Sequence, residues 1–171
     1  MRDISEKSTG QLVDELITNA FKTAFAASAG RPTEEFEQRY RLLSEAIDTR
    51  WAISDVVHRF CISLYRSPDS EFDIPRVSEH KQALLQALLD LCRRSLDTWQ
   101  LQEIVINAVD PALVARAAKD AQRCNALRTA AIREIDPSND AGSGMTDAEA
   151  SEVMGRLLAR RADFDVVAAL I

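Results

Sequence analysis

The fold is decided by the stretch from Thr33 to Arg66, which reads TEEFEQRYRLLSEAIDTRWAISDVVHRFCISLYR. Thr33 is a suitable helix N-cap, and Glu34 and Glu35 are favourable residues for a first turn. No glycine or proline follows before Arg66. The stretch therefore predicts one unbroken helix of 34 residues, roughly 50 Å long.

Apolar side chains recur along this stretch at alternating spacings of four and three residues, as in a coiled-coil-like seam. The seam positions are Phe36, Tyr40, Leu43, Ile47, Arg50, Ser54, Val57, Cys61 and Leu64. The pattern predicts a helix that buries one stripe against its neighbours. Two polar residues, Arg50 and Ser54, occupy adjacent positions near the middle of the seam.

Four further helices are predicted from capping residues and from the few glycines and prolines, five of each. Two of the predicted starts have the spacing of a capping box. The helices run from Ser8, with Gln11, to about Ala29; from Ser78 to about Val109; from Asp110, with Pro111 at the first position, to Asp136 before Pro137; and from Thr146, with Glu149, to about Arg161. The apolar face of the Ser78 helix becomes harder to follow near Asp97, which predicts a kink there.

These elements predict an all-α protein: a bundle of four long helices with an additional C-terminal helix and an apolar tail. Residues 1–171 are predicted to form a single helical-bundle domain, with residues 137–145 as a flexible linker before the C-terminal helix. The tail contains Phe164, Val166, Val167, Leu170 and Ile171. We expect it to dock on its own bundle or, alternatively, on a second copy or another protein, because these side chains would otherwise form an exposed apolar patch.

The composition is that of a soluble globular domain, with 171 residues, 46% hydrophobic content and a net charge of −6. Such a charge disfavours nucleic acid as a partner, because that binding depends on lysine and arginine at phosphates. The basic strip of Arg116, Lys119 and Arg123 is interpreted as a solvated helix face. The sequence contains neither an apolar run of membrane-spanning length nor a signal peptide, so we expect a cytoplasmic protein without membrane contact. Abundant arginine and alanine suggest a bacterial source.

Polar residues inside otherwise apolar seams are the candidate site, because helical bundles place their ligands on inward-facing side chains. Five such residues would lie at one level if the helices align: Asn19, Arg50, Ser54, Asn125 and Arg128. Two guanidinium groups with amides and a hydroxyl suit a carboxylate or phosphate, so these residues predict a pocket for a small anionic ligand.

Two other interpretations of the same residues remain open. Arg50 and Arg128 can pair with carboxylates, for example Asp14, Asp55 or Asp136, in a buried network that fixes helix register. Alternatively, Arg50 and Ser54 mark a shift of the buried stripe toward Trp51 and Ile53.

Motifs of catalysis and metal binding are incomplete in this sequence. Asp55 and His58 have half of the carboxylate and histidine spacing of di-iron bundles, but no second E-x-x-H accompanies them. The sequence contains no G-x-S-x-G, H-E-x-x-H or phosphate-loop motif. Its three cysteines, Cys61, Cys92 and Cys124, fit neither a disulfide framework nor a zinc site and are expected to be buried core residues. We therefore predict no cofactor, no metal and no catalytic residue.

Two segments resemble a group of small helical bacterial proteins of uncharacterised activity. One is S-T-G-x-L-x-D-E-L, met by Ser8 to Leu16 and followed by Lys22; the other is N-x-x-R-x-x-x-I-x-x-I-D, met by Asn125 to Asp136. Together they cover less than a fifth of the chain. Many of those proteins have a tryptophan soon after the lysine, where this chain has Thr23, Ala24 and Phe25. The resemblance implies a helical fold and brings no activity with it.

The sequence leads us to expect a helical bundle that acts through protein–protein contacts, as a homodimer or as an accessory partner of another protein. The alternative is a small-molecule-binding protein or enzyme that holds an acidic ligand among the five polar residues.

Overall fold

A computed structural model of the chain describes residues 4–69 and 78–140, together with residues 146, 148, 149, 151 and 152. Within these ranges all regular structure is helical, which confirms the predicted all-α class. A short 3-10 helix, Ile4–Glu6, precedes five α-helices: α1 (Thr9–Ser28), α2 (Glu34–Asp48), α3 (Ser54–Arg66), α4 (Glu79–Asn107) and α5 (Pro111–Asp140). None of the described helices has the length and apolarity that crossing a membrane requires.

Hydrogen bonds at the caps explain two of the predicted helix starts. The Ser8 hydroxyl accepts from the Gln11 N–H at 3.2 Å, and the Gln11 side chain accepts from the Ser8 N–H at 3.1 Å. This is the predicted capping box. Asp110 caps α5, because its carboxylate accepts from the Ala112 N–H at 3.0 Å, and Pro111 is the first residue of the helix.

The predicted capping box near the C-terminus is also present. The Thr146 N–H and hydroxyl donate to the Glu149 carboxylate at 2.9 and 2.8 Å, and the Glu149 N–H donates to the Thr146 hydroxyl at 3.3 Å. Of the predicted C-terminal helix, residues 148, 149, 151 and 152 are helical, and its other residues after 146 lie outside the described residues, as does the apolar tail. The prediction of a flexible linker over residues 137–145 is wrong for residues 137–140, which belong to α5, and residues 141–145 lie outside the described residues.

The prediction of one unbroken helix from Thr33 to Arg66 is wrong. The helix ends at Asp48, and α3 begins at Ser54. The Asp48 carboxylate accepts from both the N–H and the hydroxyl of Ser54, so it satisfies a free donor at the start of α3. Trp51 and Ile53, in the connection, are 2% and 0% exposed. Burial of these two large side chains compensates for the interrupted helix, so the two polar seam positions, Arg50 and Ser54, flank a turn.

The end of α5 also differs from the prediction. The helix continues through Pro137 to Asp140, whereas proline was expected to end it. Pro137 has no N–H to donate to the carbonyl four residues earlier, so the last turn of α5 forms with one helical hydrogen bond fewer.

The central element is α1, which packs against each of the other four α-helices. Its buried side chains include Leu12, Val13, Leu16, Ile17 and Phe21, all at most 1% exposed. They join one hydrophobic cluster with side chains of α2, α3, the first half of α4 and the end of α5. The core therefore surrounds α1.

The longest helices, α4 and α5, form an antiparallel hairpin. Only residues 108–110 connect them, and they pack against each other more extensively than any other helix pair. The last buried residue of α4 is Thr98 and the first of α5 is Ala117. No residue between 100 and 116 is buried. We refer to residues 100–116 as the hairpin tip.

Candidate functional site

The side chains of Arg128 and Asp14 join α5 to α1. Arg128 Nε donates to Asp14 Oδ1 at 2.6 Å, and Nη2 donates to Oδ2 at 2.8 Å. Nη2 also donates to the Thr18 hydroxyl at 3.0 Å. The Arg128 and Asp14 side chains are 24% and 18% exposed, so the pair is partly desolvated and has the bidentate geometry of a strong interaction.

A second contact joins the same helices at the start of α1. Asp136 Oδ2 accepts from the Ser8 hydroxyl at 2.8 Å, and Oδ1 accepts from the Gly10 N–H at 2.6 Å. A carboxylate is favourable here because the free N–H groups of a helix N-terminus carry partial positive charge. We refer to Ser8, Gly10, Asp14, Arg128 and Asp136 as the α1–α5 clasp.

Gly10 allows the two helices to approach closely at the clasp. A Cβ atom at this position would lie 2.5 Å from the Ile132 carbonyl oxygen and 2.9 Å from Asp136 Oδ1. Both distances are shorter than a carbon–oxygen contact, so any larger residue must push α1 away from α5. The segments Ser8 to Leu16 and Asn125 to Asp136 therefore meet here.

The remaining residues of the predicted anion pocket lie apart from this clasp or form other contacts. Arg50 is exposed, and its Nη1 donates to the Lys7 carbonyl and the Thr9 hydroxyl, both at 3.1 Å. Ser54 is bound to Asp48, as described above.

Asn19 and Asn125 differ in burial. Asn19 is 6% exposed, and its Nδ2 donates to the Phe36 carbonyl at 2.6 Å, so it fastens α1 to α2. Asn125 was expected to face inward, but it is exposed, because the buried stripe of α5 runs through Ala117, Ala121, Ala131 and Ile135 and leaves Asn125 outside. The side chains of Arg128 and Asn19 are thus both bound to protein groups, Arg128 to side chains of α1 and Asn19 to a backbone carbonyl of α2.

His58 lies in a largely apolar setting. Its ring is 4.8 Å from the Tyr40 ring, centroid to centroid. Burial lowers the pKa of His58, an effect that the Asp55 carboxylate partly opposes. Burial also raises the pKa of Tyr40 to about 12, so its phenol stays protonated. Within the described ranges, no three His, Cys, Asp or Glu side chains come together as metal ligands.

Two of the three cysteines meet in the core between α3 and α4. The Cys61 and Cys92 sulfur atoms are 3.7 Å apart, and both residues are buried, as predicted. Burial raises the pKa of the Cys61 thiol well above its usual value, so it is not a nucleophile at neutral pH. Cys124 is only half-buried, which the sequence interpretation did not anticipate.

A groove opens where α1 ends against the middle of α4. Its volume is about 890 Å³, and it is lined by Lys22, Phe25, Ala26, Ala29, Arg31, Pro32, Glu34, Glu35, Phe36, Trp99 and Glu103. Trp99 stacks on Phe25 with ring centroids 5.3 Å apart. The Trp99 Nε1 atom is shielded from solvent and has no hydrogen-bond acceptor among the described residues. None of the five predicted pocket residues lines this groove.

The hairpin tip next to this groove exposes large apolar side chains. Val109 is 95% exposed, Ile106 74%, Leu113 41% and Ile104 36%. Isolated apolar residues are common on protein surfaces, but a cluster on one projecting element is characteristic of a protein contact site. The tip therefore exposes apolar surface and contributes no buried residue to the core.

The groove and the tip share one side of α4. Trp99, Glu103 and Ile106 follow the four-three spacing that keeps side chains on one helix face. This face packs on α1 as far as Trp99 and continues past Ser28, where α1 ends. Sequence reasoning did not identify the groove or the tip. The signal was the apolar face that weakens after Asp97, because the buried residues of α4 end at Thr98.

No known protein family, curated protein or solved structure matches this chain.

Proposed function

We propose that the protein acts through protein–protein contacts made by the hairpin tip. The observation that supports this function is the exposure of Ile104, Ile106, Val109 and Leu113 together on a segment in which no residue is buried. Their burial by a partner would be favourable by roughly 25 cal/mol for each Å² of apolar surface removed from water. Within the monomer, Ile106 and Val109 bury only a small part of their surface.

The alternative function, binding of a small acidic ligand among Asn19, Arg50, Ser54, Asn125 and Arg128, has weaker support. Bidentate recognition of a ligand by Arg128 would require it to give up the Asp14 carboxylate, which already occupies its guanidinium group. We therefore favour a contact protein over a ligand-binding protein or enzyme.

Site-specific photo-crosslinking tests the proposed function. A benzoylphenylalanine placed at position 109 is expected to form covalent adducts in cells that make the protein at its natural level. The control is the same residue at position 41, where Arg41 is exposed on α2, outside the groove and the tip. Adducts at 109 and few or none at 41 support the function. Absence of adducts at 109, or equal adducts at both positions, overturns it.

A further inference from the structure

We propose that the partner of the hairpin tip is a second copy of this chain, whose groove receives the tip while its own tip enters the groove of the first copy. This inference rests on the proposed function, because it names the partner of the same surface. It also explains the groove, which the proposed function alone leaves without a role.

The spacing of groove and tip along α4 supports a two-fold arrangement. Trp99 and Ile106 are seven residues apart, which is two turns or about 10 Å along one face. A two-fold axis perpendicular to α4 near residues 102 and 103 therefore places Ile106 of each copy opposite Trp99 of the other. Such an interface uses the same patch twice and closes at two copies.

The chemistry of the two surfaces is complementary. The tip offers Ile106 and Val109, and the groove offers the rings of Phe25, Phe36 and Trp99. Aromatic side chains supply large apolar contact areas at protein interfaces.

Both surfaces carry charges of both signs. At the tip, Asp110 and Arg116 are exposed. The groove of the other copy is lined by Lys22 and Arg31 and by two glutamates of α2, so opposite charges are available to pair.

The tip and the groove together hold as many residues as one side of a standard interface uses. The tip has 17 residues, and ten others line the groove. Standard interfaces use about 20–30 residues on each side. One interaction opposes association: the two Glu103 side chains approach each other across the axis, and like charges at close range repel.

The test measures the molar mass of the full chain by sedimentation equilibrium from about 1 to 100 µM. We expect a mass approaching twice 19.0 kDa as concentration rises. Val109→Asp, in the tip, and Ala29→Arg, in the groove, are each expected to weaken association at least tenfold, because each blocks both contacts of the symmetric pair. Leu42→Asp is the matched control, since Leu42 is an exposed apolar residue on α2 outside the groove and the tip.

Two further measurements distinguish tip-to-groove binding from other modes. A mixture of Val109→Asp and Ala29→Arg is expected to recover part of the association, because one intact tip then meets one intact groove. Glu103→Gln is expected to tighten the dimer. Lack of recovery in the mixture, or an unchanged or weaker Glu103→Gln dimer, overturns the reciprocal arrangement.

The outcome for self-association can be separated from that for the proposed function. A wild-type mass of 19.0 kDa at all concentrations overturns self-association, while adducts of position 109 with a different protein would leave the proposed function intact. A dimer that persists in both Val109→Asp and Ala29→Arg overturns the tip-to-groove interface.

Discussion

Replacing Gly10 by alanine tests how closely α1 and α5 pack at their clasp. In most helices this change is stabilising by about 0.5–1 kcal/mol, because glycine loses more backbone freedom on folding. Here the added Cβ would lie 2.5 Å from the Ile132 carbonyl oxygen. The neighbouring backbone cannot rotate away as a side chain can, so α1 must shift as a unit.

The expected change in the free energy of unfolding combines two destabilising effects with one stabilising effect. Overpacking a close contact costs about 1–3 kcal/mol. A shift of α1 also weakens the 2.6 Å hydrogen bond from the Gly10 N–H to Asp136, and a bond to a charged group is worth about 1.5–3 kcal/mol. After the helix-propensity gain is subtracted, we expect Gly10→Ala to lower the free energy of unfolding by about 2–5 kcal/mol. In a chain of this length that lowers the Tm by between about 4 and 20 °C.

Urea denaturation and thermal unfolding, both followed by circular dichroism, measure this effect. Gly30→Ala is the control: Gly30 has a φ of 64° but nothing within 4 Å of an added Cβ, so only backbone strain of about 1–2 kcal/mol acts there. Asp136→Asn should cost less in the Gly10→Ala background than in the wild type, since the shared hydrogen bond is already weakened. A Gly10→Ala protein as stable as the wild type would refute the close approach of the two helices.

Three other predictions concern polar and titratable groups. A double-mutant cycle with Asp14→Asn and Arg128→Met should give a coupling energy of about 1–2 kcal/mol in urea denaturation, a value discounted for the partial exposure of both side chains; no coupling would contradict the ion pair. The pKa of His58 is lowered in the folded protein, so the unfolded chain takes up a proton on this side chain at a higher pH than the folded chain does. Stability should therefore fall as pH drops below about 6.5. His58→Phe should remove this component of the pH dependence, and an unchanged profile would argue against it. A thiol reagent under native conditions should modify Cys124 first, at a rate slowed because burial raises the pKa of its thiol, and the two core cysteines only after unfolding; three thiols that react at similar rates would show an open core.

Local signals in the sequence predicted the helices better than they predicted helix length. Ser8, Asp110 and Thr146 were identified because a cap depends on residues within one turn of it. The break after Asp48 was missed because Trp51 and Ile53 keep the apolar density of the seam high across the turn. Their burial, and the bonds from Asp48 to Ser54, depend on how the whole chain packs.

The contacts of the candidate site were harder to predict. The position of a residue in an apolar seam does not specify which side chain of another helix lies beside it. Arg128 is a polar residue of the predicted seam, and Asp14 is among its candidate carboxylate partners, but their pairing depends on the antiparallel placement of α1 and α5. The groove was invisible to periodicity because it consists of residues from α1, α2, the connection between them and α4. The groove exists because α1 ends partway along α4. A local sequence pattern does not show where one helix ends relative to another.

The clasp and the hairpin tip are two consequences of unequal helix lengths. Helices α4 and α5 have 29 and 30 residues, whereas α1 has 20, so about nine residues of the hairpin, or roughly 14 Å, extend beyond the helix that covers it. The clasp joins Asp136, near the end of α5, to the start of α1, which places most of this excess at the opposite end. Folding does not require apolar side chains at a projecting helix end. Val109 is 95% exposed and adds nothing to the core. Substitutions such as Val109→Asp should therefore abolish contacts with a partner while leaving the free energy of unfolding within about 0.5 kcal/mol of the wild type, which separates function from folding in this protein.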